Sequence, residues 1–473
     1  IFTIVLGERA VGLDFNETAT LHYSRAYFNA TLLGQIFRRM GLPPESLEFL
    51  TRGAKFSKPP LLSTLQNIPG LFRLALRELM LEQDFRQDYT TLFAPTIANL
   101  AQVPASTRTD AELLQRIDLI LDRLQSATYY SILAPLSAAL RKAIAKVQDD
   151  DLDNGATPEV AALRSLQRLA RSARQILVDP LPSNAEMLFS QLAAHPNGNA
   201  ILEQLEQLIQ QYGYLSEVGT DIAVLTWQED PAPIRSLFAQ FCLNPPPETE
   251  QRTAKKISRV QRRFDLKGQV TEIYSRLLAE LRWSVVELEQ RWLEAGWLQT
   301  PGDIFFLTFD EVQQLVNSGI TENNWRLERI PQRKLQLERD RQLSSVPFIV
   351  YGDDPPEPIT RLTNHAAAQQ LQGIGASAGL VEGRVKIVLS LRDLPQVGRD
   401  TIVVVPYTDS GWAPLLAQAG GLIAETGGRL SHGAIVAREY RIPAVMDIHH
   451  ATQLLQDGQL VRLDGQQGIV EIL

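Results

Sequence analysis

One histidine in this sequence has neighbours that suit covalent chemistry. Ser431 is a favourable N-cap for a helix through Ala434–Tyr440, which puts the His432 side chain in the first helical turn. Backbone N–H groups are free at that position, and the positive helix end keeps an imidazole neutral and nucleophilic near pH 7. The same helix end stabilises a phosphoryl group once it is attached. The pattern therefore predicts a nucleophilic histidine at an anion-binding site.

The residues around this histidine fit the binding of a phosphate. Gly427 and Gly428 supply a tight turn, and Gly433 allows a ligand to approach the backbone closely. Arg429 offers a fork of donors for phosphate oxygens. We therefore predict His432 as the catalytic residue and the following residues as phosphate-positioning: Gly427, Gly428, Arg429, Ser431 and Gly433.

Two regions with different residue patterns surround and contain this site. From about Leu21 to about Leu337, apolar residues recur at three- and four-residue spacing, which predicts a mainly helical region. Thr157–Pro158 reads as a helix start, and Ser183 with Glu186 as a capping box. After about Leu371, short β-branched runs alternate with glycines and helical pieces, as in a compact α/β domain. The predicted strands are Arg384–Leu389, Thr401–Pro406, Gly421–Ala424, Ala444–Asp447 and Gly468–Leu473.

The predicted fold is therefore α plus α/β, with a large helical domain followed by a smaller α/β domain. We expect the helical domain at 1–350, a proline-rich linker at 351–371 and the α/β domain at 372–473. A chain of 473 residues is too long for one hydrophobic core. It begins at Ile1 without a Met, which we interpret as an internal cut in a longer polypeptide.

Composition argues against several classes of protein. The net charge of −8 argues against a nucleic-acid or anionic-membrane surface. The one cysteine, Cys242, lies in an apolar stretch and reads as a core residue, and no segment is apolar enough to span a bilayer. A cytoplasmic protein with neither nucleic acid nor membrane as a partner is the expectation.

The sequence predicts neither a metal site nor a cofactor site within this chain. The acidic run that starts at Asp149 has its glycine one place late for a calcium loop, and Val160 stands where the final Glu would be. The run Gly373–Gly379 resembles a dinucleotide fingerprint, but it follows a helical pattern at Ala366–Gln372 and leads into a strand. That order is the reverse of the one such a site requires.

The segment from Gly373 to Leu473 resembles the swivelling phosphohistidine domain of the phosphoenolpyruvate (PEP)-utilising enzymes. The hallmark of that family is TGG-x-x-(S/C)-H-(G/A)-x-I-V-A-R-E followed by x-I-P-A-V, and Thr426–Glu439 with Ile442–Val445 match it. Further similarity lies at Gly373–Ser377, Pro406–Trp412 and Asp464–Gly465. The resemblance implies that His432 is transiently phosphorylated and carries the phosphoryl group between two sites.

Domain order is similar to the rifampicin phosphotransferase type within this family. A helical domain precedes the histidine domain here, and no pyruvate-binding barrel fits after it. The resemblance implies an ATP-grasp domain that binds ATP and Mg²⁺ and is missing from this chain. His432 would take the β-phosphoryl group of ATP there and deliver it to a hydroxyl acceptor in the helical domain, with Asp353–Pro358 as the hinge region.

The helical region follows that type at several places and departs from it at one. Tyr23–Asn29 and Pro301–Leu307 resemble its segments. The family pattern G-H-R-x-x-G-E-x-D keeps its spacing at Gly213–Asp221, but four positions differ: Tyr214, Leu215, Val218 and Gly219. Polar groups expected at an acceptor site are apolar or neutral here, which disfavours rifampicin itself as the acceptor.

Three hypotheses stay open from the sequence. The chain is part of an ATP-dependent phosphotransferase with a small-molecule hydroxyl acceptor and a fused ATP-grasp domain. Alternatively, it is a phosphocarrier served by a separate ATP-grasp partner. In the third hypothesis it is a regulatory binding module without acceptor chemistry of its own.

Overall fold

The computed structural model describes most of the chain. The described residues are 10–14, 19–39, 61–147, 151–177, 182, 184–216, 218–243, 245, 258–318, 325–341, 343, 370–389, 397–408, 412–429 and 431–473. The predicted hinge region at Asp353–Pro358 and most of the predicted linker lie outside them.

The chain forms two compact units that are each built from two stretches of sequence. One unit combines Ile1–Tyr89 with Glu289–His365, and the other combines Thr90–Leu288 with Ala366–Leu473. This division differs from the predicted boundaries at 350 and 372, because helices between residues 90 and 288 share a core with the C-terminal sheet.

Helices make up most of the described residues before position 342. They are α1 (Ala30–Arg39), α2 (Leu61–Asp88), α3 (Ala94–Gln102), α4 (Asp110–Ala145), α5 (Pro158–Ile176), α6 (Ala185–Ala194), α7 (Gly198–Tyr212), α8 (Ala232–Leu243), α9 (Ser258–Glu294), α10 (Phe309–Ser318) and α11 (Trp325–Arg341). Thr157 and Pro158 begin α5 as predicted. The predicted start of α6 at Ser183 is wrong, because Asn184 is the N-cap and accepts from the backbone N–H of Met187.

The first unit contains a hairpin that the helical prediction missed. Strands β1 (Ala19–His22) and β2 (Arg25–Phe28) pair antiparallel around Tyr23 and Ser24. Both turn residues have positive φ, at 51° and 55°. Two-residue hairpin loops favour these angles because the twist of the turn then matches the right-handed twist of the two strands. The predicted helical texture from about Leu21 is therefore wrong at this position. The hydroxyl of Ser24 donates to a carboxylate oxygen of Asp340 in α11 at 2.6 Å.

The C-terminal part is an eight-stranded mixed sheet with helices. Its strands are β3 (Gln370–Gln372), β4 (Ile374–Ser377), β5 (Leu380–Ile387), β6 (Thr401–Val405), β7 (Gly421–Ala424), β8 (Ala444–Met446), β9 (Leu460–Asp464) and β10 (Ile469–Ile472), and its helices are α12 (Ala413–Leu416), α13 (His432–Glu439) and α14 (Ala451–Leu454). The strand order is β3-β10-β9-β5-β6-β7-β8-β4, and the run from β5 to β8 is parallel.

The sequence predicted five of these strands and missed three. Each predicted run overlaps an observed strand, and the strand at Gly421–Ala424 has the predicted bounds. The strands β3, β4 and β9 were missed. The predicted helix at Ala366–Gln372 is wrong at its end, since Gln370–Gln372 pairs with β10. Both sides of the Gly373 turn are thus strands, and no helix follows it as a dinucleotide site would need.

The central strands of the sheet, β6 to β8, are covered on both faces. Alternate residues of β6 show this: Ile402 and Val404 belong to one apolar cluster, with α14, while Val403 and Val405 belong to another. The second cluster also contains residues of α12 and α13 and of the four helices α5, α6, α7 and α8, including Cys242, which is buried as predicted. A parallel strand that is buried on both faces has this near-continuous run of β-branched residues.

No helix in the described part of the chain is both long enough and apolar enough to cross a membrane.

Candidate functional site

His432 is the first residue of α13 and lies beyond the carboxyl end of β7. The connection between them contains Gly427, whose φ of +124° is accessible to glycine but strained for other residues. Ser431 is the N-cap, as the sequence predicts, and its hydroxyl oxygen accepts from the backbone N–H of Ala434 at 3.4 Å. The same hydroxyl donates to the carbonyl of Gly428 at 2.8 Å, which ties the glycine turn to the helix start.

The other predicted phosphate-positioning residues make contacts within the protein. The backbone N–H of Gly433 donates to the Thr408 hydroxyl at 3.2 Å, and a Cβ at Gly433 would lie 2.4 Å from that oxygen. Glycine is therefore required by packing against the loop after β6. The Nε of Arg429 donates to the carbonyl of Gly375 at 3.0 Å. These residues surround the start of α13, and their roles toward a phosphate stay predictions.

A buried carboxylate faces the imidazole. The Nε2 atom of His432 is 3.3 Å from Oε1 of Glu159, in the first turn of α5. The Glu159 side chain is 3% exposed, whereas the His432 side chain is 39% exposed. The carboxylate and the imidazole are therefore in direct contact, at close to hydrogen-bond distance. The first turns of α5 and α13 therefore meet at this point.

The electrostatics favour an ionised Glu159. Burial raises the pKa of its carboxyl. The protonated imidazole of His432 lowers that pKa most, through its charge and a hydrogen bond, and the backbone of Glu159 and the ammonium of Lys267 lower it further, so the pKa lies below its usual value. Burial lowers the pKa of Lys267 to about 8, while the Glu159 carboxylate acts in the opposite sense. Lys267 belongs to α9, and the next residue, Gly268, packs against the backbone of Ala156 and Thr157 at the start of α5.

This arrangement can hold a nucleophile, a proton acceptor and a cation together. His432 is exposed enough to react, Glu159 can accept a proton, and Lys267 supplies positive charge beside two helix N-termini. Sequence reasoning missed Glu159 and Lys267. An acidic residue in a first helical turn is ordinary on a surface, and only packing shows that this one is buried.

The loop that departs from the family pattern forms a separate shallow pocket in the helical region. It is lined by Tyr214, Leu215, Ser216, Val218, Gly219, Asp221, Ile222, Val224, Thr226, Ser275, Leu278, Ala279 and Arg282. The guanidinium of Arg282 is bound by both carboxylate oxygens of Glu229, at 2.7 and 2.9 Å. Tyr214 is buried under the guanidinium of Arg276, 4.2 Å from its ring centre. The charged groups here are thus engaged within the protein.

Among the described residues, no group of three or more His, Cys, Asp or Glu side chains is arranged to hold a metal ion.

Two family models match this chain. Residues 397–468 match the PEP-utilising enzyme, mobile domain. His432 lies within this matched range, at the start of α13, which carries the hallmark residues. Residues 124–292 match the rifampicin phosphotransferase fourth domain, and this range contains both Glu159 and Lys267.

Curated relatives extend the similarity beyond the mobile domain. A rifampicin phosphotransferase of Bacillus cereus is 35% identical over 173 residues, which are 36% of this chain and 19% of the relative. The rifampicin phosphotransferase of Streptomyces sviceus is 27% identical over 60% of this chain and 36% of its own length. An uncharacterized protein of Mycobacterium tuberculosis is 28% identical over 98% of this chain and 53% of its own length. The chain thus spans at most about half the length of these relatives.

Proposed function

We propose that this chain is the carrier and acceptor part of a phosphotransferase, in which His432 is transiently phosphorylated and passes the phosphoryl group to a hydroxyl acceptor. The observation that carries the proposal is the contact between His432 and the buried carboxylate of Glu159. ATP, bound with Mg²⁺ by an ATP-grasp domain in cis or in trans, would supply the phosphoryl group from its β-phosphate, with AMP as the leaving group and the γ-phosphate passing to water as inorganic phosphate. The similarity to rifampicin phosphotransferases supports this class of reaction.

The residues at the meeting of α5 and α13 have distinct roles in the transfer. The acceptor oxygen bonds to phosphorus as the bond from phosphorus to the histidine nitrogen breaks, and the electrons of that bond return to the nitrogen. Glu159 takes the hydroxyl proton. Once the acceptor separates the two side chains, His432 no longer lowers the pKa of this carboxyl, whereas burial still raises it, so the carboxylate becomes a stronger base. Lys267 and the two helix N-termini stabilise the charge on the phosphoryl oxygens.

The acceptor must enter by separating His432 from Glu159. A gap of 3.3 Å is close to the length of a hydrogen bond, so neither a phosphoryl group nor a hydroxyl fits between them. In this arrangement the carboxylate contacts the imidazole directly. When the domain that carries phosphorylated His432 docks on the helices with an acceptor bound, the phosphoryl group and the acceptor hydroxyl lie between His432 and Glu159 in place of that contact.

The carrier role is tested by intact-mass spectrometry at alkaline pH. The chain is incubated with ATP, Mg²⁺ and a separately produced ATP-grasp domain, beside His432→Ala. We expect an acid-labile gain of one phosphoryl group that is absent from the variant. A gain that persists in His432→Ala contradicts the carrier role.

Glu159→Gln tests the acceptor step. We expect normal loading but a transfer to hydroxyl compounds that is slower by roughly 10²- to 10⁴-fold, the usual contribution of a proton acceptor. Glu186→Gln is the matched control, because Glu186 is also the second residue of its helix but is exposed. Equal transfer rates for Glu159→Gln and Glu186→Gln would remove Glu159 from the mechanism.

A second candidate is a phosphocarrier or regulatory module without acceptor chemistry. The observation that favours it is the pocket at Gly213–Asp221, where Arg282 is already bound by Glu229. Loading of His432 followed by no transfer to any hydroxyl compound, in the wild type as in Glu159→Gln, would favour this candidate.

A further inference from the structure

A second charge contact joins the same two helices that meet at the site. Arg164 in α5 forms a two-point ion pair with Glu439, the last residue of α13. Its Nε lies 2.6 Å from one carboxylate oxygen and its Nη2 lies 2.9 Å from the other. Such a fork fixes direction as well as distance. The Glu439 side chain is 11% exposed and that of Arg164 26%, so solvent screens the pair only in part.

Arg164 is itself anchored from the helical side. Its Nη2 is 2.7 Å from a carboxylate oxygen of Asp153 in the loop before α5. The backbone of Asp153 exchanges two hydrogen bonds with the Gln261 amide of α9, at 2.9 and 2.6 Å. Asp153, which Gln261 of α9 holds in place, therefore restricts the position of the Arg164 guanidinium beside Glu439.

The position of Glu439 is unfavourable without this partner. A carboxylate at the C-terminal end of a helix lies near the negative end of the helix dipole. The pairing with Arg164 offsets that cost.

The two contacts set the orientation of α13 over α5. His432 and Glu439 are the ends of an eight-residue helix, about 10 Å apart along its axis, and Glu159 and Arg164 are about 7.5 Å apart along α5. The two contacts hold opposite ends of α13 against α5, in addition to the apolar cluster that the two helices share. The reversed orientation would bring Glu439 against the buried carboxylate of Glu159, and like charges disfavour it.

We propose that Arg164 is a positioning residue: its fork on Glu439 holds the mobile domain in the orientation in which His432 faces Glu159. The functional meaning of this orientation rests on the proposed carrier role of His432. The docking itself does not, because it requires no phosphoryl group.

The test measures how fast diethylpyrocarbonate modifies His432 in the full chain, by mass spectrometry of the peptide, without ATP. All variants carry Asp153→Asn, so that a reversed residue 164 does not face a second carboxylate. We expect Arg164→Glu and Glu439→Arg each to raise the rate about five- to tenfold, because His432 loses its fixed contact with Glu159. The double reversal Arg164→Glu/Glu439→Arg returns the rate to within about twofold of its Asp153→Asn parent.

Arg168→Glu is the matched control, since Arg168 lies one turn further along α5 and is exposed. We expect no change in its rate. Arg164→Lys, which keeps the charge but loses the fork, gives an intermediate rate if a reversal variant fails to fold. The proposal is overturned if the double reversal is as reactive as the single variants, or if all variants react like their parent. Failure of ATP-dependent loading would contradict the carrier role and leave this result unaffected.

Discussion

Among single residues, Glu159 has the most demanding environment near His432. Its carboxylate is almost fully buried and ionised, and burial of an isolated charge is costly unless other charges compensate it. His432 provides most of that compensation, and the backbone of the first turn of α5 and Lys267 add to it. Buried charges with shifted pKa values beside an exposed nucleophile are typical of active sites, and this is the physical ground for assigning Glu159 a role in the transfer.

Lys267 predicts a pH dependence of stability. Its folded pKa of about 8 lies below the ordinary value of 10.5, so the unfolded chain binds the proton more tightly. Its destabilising contribution is fully present below pH 8 and disappears as the pH rises toward 10.5. The wild type should therefore gain up to about 3 kcal/mol relative to Lys267→Met over this interval.

Urea unfolding at pH 7.5, 9 and 10.5 measures the difference in free energy of unfolding between the two proteins. Lys146→Met is the control, because Lys146 is exposed. If the difference between wild type and Lys267→Met stays constant with pH, burial does not lower the pKa of Lys267.

At the scale of elements, the start of α13 is specified locally. Ser431 at the N-cap, glycine at positions 427 and 428 and the apolar face of the helix each favour the observed turn, and the structure has the predicted N-cap bond. The need for glycine at position 433 is different, because it comes from a contact with the loop after β6 rather than from residues nearby in the sequence. Thr408 lies so close that no side chain fits.

Gly433→Ala is expected to destabilise the protein by about 1–3 kcal/mol, because its Cβ would lie 2.4 Å from the Thr408 hydroxyl. Removing the Thr408 side chain in Gly433→Ala/Thr408→Gly should recover part of that loss. Gly428→Ala should change the free energy of unfolding by less than about 0.5 kcal/mol, since open space surrounds its Cβ position. Urea unfolding measures all three, and equal losses for Gly428→Ala and Gly433→Ala would contradict the packing argument.

Over the whole second unit, the mobile domain buries an apolar surface against helices. Trp412 is fully buried, and its cluster includes Leu163 of α5 and Phe238 of α8. Under the proposed carrier role, this surface is uncovered whenever the domain leaves the helices. Under the same proposal, apolar burial and the charge contacts of α5 together set the population of the docked state.

A fragment of residues 366–473 should bind a hydrophobic dye such as anilinonaphthalene sulfonate several-fold more strongly than the full chain, because it exposes the surface around Trp412. Fluorescence titration at equal molar concentration measures this. Addition of separately produced residues 90–288 should reduce the binding if that stretch folds alone. Equal dye binding by the fragment and the full chain would mean that the helices do not cover this face.

Local features of the fold, which depend on neighbouring residues in the chain, could be predicted from the sequence. The helix start at Ser431, the glycine turn before it and the β-branched strands β6 and β7 follow from capping, φ preference and side-chain shape, and they were predicted. Local patterns failed at β3 and β4, where strand pairing overrides weak preferences. The roles of Glu159, Lys267 and Arg164 could be inferred only from the tertiary structure. These residues lie 273, 165 and 268 residues before His432, and what each does depends on burial and distance, which no local pattern encodes.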